Sequence, residues 1–146
     1  MKAESRLAQR AVETMLERDP FSRWLGLTVD AVSAGEAVVS MVVREEMLNG
    51  FGVCHGGVVF SLADSALAFA ANTLGRVSVS VEISASFFEK VRCGDRLVAR
   101  ATQRRDGRRL GHYDVDVCRE DSVVVASFRG IVYRTDKSFE MEDEDE

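Results

Sequence analysis

A chain of 146 residues, 46% hydrophobic and 29% charged, is sized for one domain with a real core, and its single proline leaves no proline-rich linker to divide it. The net charge of −5 comes from the C-terminal stretch "FEMEDEDE" (139–146); without those six acids the remainder carries +1, which removes any electrostatic case for nucleic acid. Three cysteines, Cys54, Cys93 and Cys118, form no CxxC pair and leave an odd count, which argues against a disulfide scaffold and points to a reducing, cytoplasmic compartment.

In chain order, residues 3–18 read as an amphipathic helix with Leu7, Ala11, Val12, Met15 and Leu16 on one stripe, ended by Asp19-Pro20. Its charges run throughout, unlike a secretory signal. "FSRWLGL" reads as an apolar connector docked on the body. "LTVDAVSAGEAVVSMVVRE" gives two strands around a turn at Ser33-Ala34-Gly35, the second apolar on both sides. The stretch from Val58 to near Gly75 reads as a long apolar helix. Ser61, Asp64, Ser65, Asn72 and Thr73 interrupt it and basic anchors do not flank it, so no membrane span is expected. "RVSVSVEISASFF" alternates with period two: Val77, Val79, Val81, Ile83, Ala85 and Phe87 face one way and the serines and Glu82 the other. Three more strands follow, with a two-residue hairpin expected at Asp106-Gly107. Residues 1–136 thus form one domain, with 1–19 its N-terminal helix, and 137–146 read as an acidic, disordered tail. Consecutive hairpins require antiparallel pairing, and a helix apolar nearly all round must be enclosed. The prediction is an α+β fold, a sheet rolled around one central helix.

At 100° per residue, Gly57, Ser61, Asp64, Ser65, Ala68 and Asn72 share one face of that helix. This narrow polar stripe faces a second subunit or a ligand groove. His55-Gly56-Gly57 opens the helix, where backbone amides lack helical partners and glycine lets a ligand approach; such a place suits an oxyanion. The same tripeptide also fits a tight strand-to-helix turn. Asp64 is the sharper signal, because a lone carboxylate in an apolar stretch is paired, protonated or exposed in a groove. It is a nucleophile or general base, or a structural acceptor for a neighbouring chain. Gly57 and Asp64 lie about 10 Å apart along the axis, so one chain cannot easily bring both to one carbonyl. Two antiparallel helices could, which predicts a two-fold dimer with shared sites. No His, Cys or Asp spacing fits zinc, and no GxGxxG or GxxxxGK[ST] is present, so neither metal nor cofactor is expected.

At these residues the sequence resembles the hotdog-fold acyl-CoA thioesterases of the phenylacetate-pathway (PaaI-like) branch. "NGFGVCHGGVVFSLADSALAFAAN" looks like that branch's Asn-Gly loop, His-Gly-Gly turn and Leu-Ala-Asp helix, and the order of elements agrees over most of residues 20–135. The resemblance implies hydrolysis of a small aryl- or medium-chain acyl-CoA to free acid and CoA. It implies that Asn49 helps hold the thioester or the attacking water and that His55 and Gly56 form the turn. The Gly56 or Gly57 amide would polarise the carbonyl, Asp64 would act from the partner subunit, and Ser80 would lie near the water. It further implies a homodimer or a homotetramer built as a dimer of dimers. Phe60, with the stripe residues Ser61 and Ser65, is expected to contact substrate. Arg104, Arg105, Arg108 and Arg109 cluster at one hairpin tip, and Arg108 and Arg109 are the candidates for the CoA phosphates; a merely solvated turn is the competing reading. "FFEKVRCGD" departs from the branch's Phe-Leu-Arg-Pro at Lys90, which touches a loop and not the catalytic positions. A hotdog protein that binds acyl-CoA without hydrolysing it is the alternative.

Overall fold

The computed structural model describes residues 2–138; the acidic stretch 139–146 lies outside the described residues. Helix α1 (Lys2–Glu17) buries Ala8, Ala11 and Val12 and packs on the first strand and the central helix. The segment after it is not the extended connector that its sequence suggests. Pro20–Leu25 form a short helix, α2. Asp19 caps it, its Oδ1 accepting the Ser22 amide at 3.0 Å, Pro20 sits in the first turn, and Gly26 closes the end at φ +73°. The Asp19-Pro20 pair that ends α1 is also the start signal of α2.

Strands β1 (Thr28–Ser33) and β2 (Glu36–Val42) form the expected hairpin, and a 3₁₀ turn (Glu45–Met47) leads to the loop before α3 (Gly56–Asn72). Strands β3 (Arg76–Phe87), β4 (Arg96–Asp106), β5 (Leu110–Arg119) and β6 (Val124–Ser138) complete one sheet of order β1-β2-β4-β5-β6-β3, antiparallel throughout. The link from β2 to β3 spans the sheet from near one edge to the other, and α3 rides on it through the concave face. Leu62, Ala66, Leu67, Phe69 and Ala70 of α3 are buried there with Val39, Leu97, Ala99, Ala101, Val115, Val117 and Val132 of the strands. The small residues on α3 let the sheet close around it. Gly130 marks the tightest approach, since a Cβ there would lie 2.4 Å from Leu67 Cδ2.

Strand β3 departs from clean alternation in a way that decides the site. Its pairing with β6 slips between Ser80 and Glu82, a bulge at Val81. Before the bulge, Ser78 and Ser80 pair with Arg134 and Val132, whose side chains are buried, so both serines face α3. Beyond it, Ile83, Ala85 and Phe87 pair with Gly130, Phe128 and Ala126 and take the inner face, while Glu82, Ser84 and Ser86 turn outward. One extra residue thus reverses the phase predicted for the first half of the strand. Asn72 fixes where β3 begins: its Nδ2 donates to the Ala68 and Ser78 carbonyls at 2.8 and 3.1 Å, and its Oδ1 accepts the Ser78 amide at 2.8 Å.

The β4–β5 hairpin also differs in detail. Gly107 N–H donates to the Leu110 carbonyl at 3.0 Å, so the tip residues are Arg108 and Arg109, not Asp106-Gly107. Asp106 is drawn into an ion pair with Arg134, and a Cβ on Gly107 would stand 2.5 Å from the Leu110 oxygen.

Candidate active site

The loop before α3 is held by Asn49, whose Oδ1 accepts the Phe51 and Val53 amides at 2.9 and 3.4 Å. That leaves its Nδ2 as the group free to meet a ligand, and it lifts Phe51 to 93% exposure. His55 then caps α3. Its Nδ1 accepts the Gly57 amide at 2.8 Å and its carbonyl accepts the Val58 amide at 2.9 Å. Two of the three leading amides of the helix are therefore taken up by His55. Among the described residues, the Gly56 amide has no hydrogen-bond partner. The sequence does not distinguish Gly56 from Gly57; in the structure the Gly57 amide is taken up and the Gly56 amide is not. One unpaired N–H at the positive dipole end of a helix is a place that suits an oxyanion. Phe87 lies 3.6 Å from where a Gly56 Cβ would be and stacks edge-on with Phe128, as does Phe60 at 5.7 Å. Phe60 thus belongs to an aromatic layer beside this amide.

Asp64 lies half-buried two turns further on, on the open side of the roll. Burial pushes its carboxyl above the usual carboxylate range, and hydrogen bonding from the Ser80 side chain works in the opposite direction. The bulge in β3 is what turns Ser80 inward to make that contact. Ser65, next along the helix, meets the buried Ser22 of α2 at 3.3 Å, and Ser22 in turn donates to Asp19 at 2.5 Å. Asp64 therefore looks toward β3 while its neighbour Ser65 is anchored to α2. Ser61 donates to the Gly57 carbonyl at 2.7 Å, so both stripe hydroxyls predicted to touch substrate are engaged within the chain. Sequence reasoning missed α2 and its contact with Ser65; the Asp-Pro start with Gly26 six residues on was the available signal.

Near the C-terminal end of α3, a cleft of about 380 Å³ is lined by Arg76, Ser78, Asp106, Arg108 and Arg134, with Ala71 and Leu74. Arg134 is 4% exposed; its Nη1 donates to the Gly107 carbonyl at 2.6 Å, while Nε and Nη2 have no partner among the described residues. Burial and the Arg76 charge both lower its pKa, and the Asp106 carboxylate in the same cleft is its counter-charge. Arg109 is committed elsewhere, in a two-point ion pair with Asp136 at 2.8 and 3.4 Å, leaving Arg108 as the more available of the two tip arginines. Among the described residues no group of three or more His, Cys, Asp and Glu side chains could hold a metal, and no helix is long and apolar enough to cross a membrane.

Comparison with known proteins bears on this geometry. The family model described as Thioesterase superfamily matches residues 51–126, a span holding His55, Gly56, Asp64 and Ser80. Acyl-coenzyme A thioesterase PaaI of Escherichia coli (strain K12) is 38% identical over 130 residues, 89% of this chain and 93% of that protein. The solved structure of the E. coli PaaI protein from the phenylacetic acid degradation operon superposes with a TM-score of 0.90 at 36% identity, covering 92% of this chain and 97% of that one. The structure of smu.793 from Streptococcus mutans UA159, bound to acetyl CoA, matches with a TM-score of 0.74 at 25% identity over 77% and 90% of the two chains.

Proposed function

The chain belongs to the thioesterase superfamily and has its hotdog fold, and on that premise we propose that it hydrolyses small aryl- or medium-chain acyl-CoA thioesters to a free acid and CoA in the cytoplasm. The observation that carries the reading is Asp64: a carboxyl raised by burial, steadied by Ser80, and set on an open stripe beside the helix whose first amide is unpaired. The Gly56 amide polarises the thioester carbonyl and holds the charge that develops on its oxygen. Asp64 either takes a proton from the attacking water or attacks the carbonyl itself, and the thiolate of CoA leaves. Asn49 Nδ2 steadies the thioester or the water.

Gly56 and Asp64 of one chain are separated by about two turns of helix, about 12 Å, so each site takes its amide from one chain and its carboxylate from another. Strand β3 supports such a pairing. It is twelve residues long, pairs in the sheet with β6 alone among the described residues, and Val79, Val81 and Phe87 along it are exposed. A second copy joined edge to edge at β3 covers that strand and sets the two α3 helices side by side about a two-fold axis. A homodimer is the smallest complete unit, and a homotetramer is two of these.

Arg108 and the unpaired guanidinium atoms of Arg134 are placed to receive CoA phosphates. Arg108→Glu is expected to raise KM for an acyl-CoA about tenfold at low salt, with kcat little changed and the difference shrinking as salt is added. An unchanged KM removes the hairpin from the site. The reading as a whole is tested by thiol release from a panel of phenylacetyl-, benzoyl- and C4–C12 acyl-CoAs. Turnover on at least one class is expected, and tight binding with no release on every member overturns hydrolysis in favour of a binding protein.

A further inference from the structure

His55 is exposed and carries an imidazole at the mouth of the site, which invites a role in proton transfer. Its contacts point elsewhere. Nδ1 accepts the Gly57 N–H at 2.8 Å, so the ring proton resides on Nε2. A Cβ on Gly57 would stand 2.9 Å from that same Nδ1, closer than real Cβ atoms come, so glycine at 57 is what lets the ring fold over the helix start. The backbone of His55 is extended, φ −62° and ψ 133°, the conformation of an N-cap residue.

These three facts make one device. We propose that His55 is a positioning residue that takes up the Gly57 amide on its Nδ1 and so leaves the Gly56 amide as the one backbone amide of the first turn directed at the oxyanion, with Gly57 present to accommodate the ring. The inference rests on the thioesterase reading above and adds to it what sets the donor. Without the imidazole, the Gly57 amide is an unsatisfied donor beside the reacting oxygen. The first turn then frays or tilts until neither amide is aligned on it. The loss falls on the transition state, where the oxygen carries charge, more than on the ground-state carbonyl.

The test compares His55→Ala, His55→Asn and Gly57→Ala in the full-length chain, with Asp64→Asn alongside. Asparagine supplies a side-chain oxygen that caps as well as any residue but cannot carry a proton as imidazole does. His55→Ala is expected to lower kcat about 10–100-fold with KM within about twofold, and His55→Asn to recover most of that loss. Gly57→Ala, which displaces the ring, is expected to match His55→Ala, and the two together to cost little more than either alone. Amide exchange followed by NMR reads the same device without turnover: the Gly57 amide is protected in the wild type and in His55→Asn, and exchanges fast in His55→Ala. An unprotected Gly57 amide in the wild type overturns the proposal. So does a His55→Ala enzyme with undiminished kcat, or a His55→Asn enzyme as inactive as His55→Ala, which would assign the imidazole to proton transfer. Retained turnover in Asp64→Asn is a different result; it defeats the thioesterase mechanism and leaves the exchange pattern to decide the role of His55.

Discussion

Asp64→Asn is expected to lower kcat about 10²–10⁴-fold while raising Tm by about 2–4 °C. The first figure is the range that a positioned general base contributes. The second is what about 1 kcal/mol does to a chain of this size, a value kept small because solvent screens a half-buried carboxylate. Both follow from one property, a carboxyl raised by burial. Its folded pKa lies above its unfolded value, so between the two the folded chain binds more protons. Stability therefore falls as pH rises through that window and remains reduced above it. Asparagine has the same shape and does not titrate. The stability gap between variant and wild type should be absent below the ordinary aspartate range, open as pH rises from there through the raised pKa, and stay constant above it. Activity runs the other way. A base must be ionised, so kcat falls on the acid side, with its midpoint above the ordinary aspartate value of 3.8. Ser80→Ala, which removes the side-chain contact that lowers the Asp64 pKa, should carry that midpoint to higher pH. Thermal melts and kcat profiles across about pH 3–8 check all three. A variant that loses activity but shows no pH-dependent stability gap from the wild type would mean that Asp64 is not the group strained by burial.

Much of this was legible in the residues, and the parts that were not share a cause. A helix apolar on nearly every side has to be enclosed, so "VVFSLADSALAFAA" (58–71) implies a sheet wrapped around it. Asp64 stands out because a lone charge in such a run demands an explanation. What composition and periodicity could not carry were the places where one residue alters phase or partner. The serines of β3 alternate without a break in the sequence, and nothing there marks the bulge at Val81 that turns Ser80 toward Asp64. Gly56 and Gly57 are the same residue type, and only the fold of the His55 ring separates them. Arg134 looks like one more surface charge on an alternating strand, yet it lies beyond the end of α3 with two nitrogens unpaired. α2 was hidden because six residues are too few to show a helical period. For Ser80 and Arg134 a contact between distant segments decides the chemistry, and such contacts leave no local signature.

The second large effect concerns Gly56, and it can be isolated because of where that residue sits. It is the first residue of α3, its φ is not positive, and the residue before it is extended. Proline is tolerated at a first helical position and prefers an extended predecessor. A Cβ at position 56 would meet only the Phe87 ring, at an ordinary 3.6 Å. Gly56→Pro therefore deletes the amide hydrogen while keeping the helix. It is expected to lower kcat about 10²–10³-fold, the cost of one oxyanion donor, with Tm and oligomeric state preserved. Its value is greatest in combination. If each site draws its amide from one chain and its carboxylate from the other, a mixed dimer of Gly56→Pro and Asp64→Asn has one site with both lesions and one with neither. Unfolding and refolding the two inactive proteins together should restore about a quarter of wild-type activity, since half of randomly assembled pairs are mixed and each has one sound site of two. If amide and carboxylate came from the same chain, every site in every mixture would keep a lesion. The refolded mixture would then stay as inactive as its parents, and the shared site would fall with it.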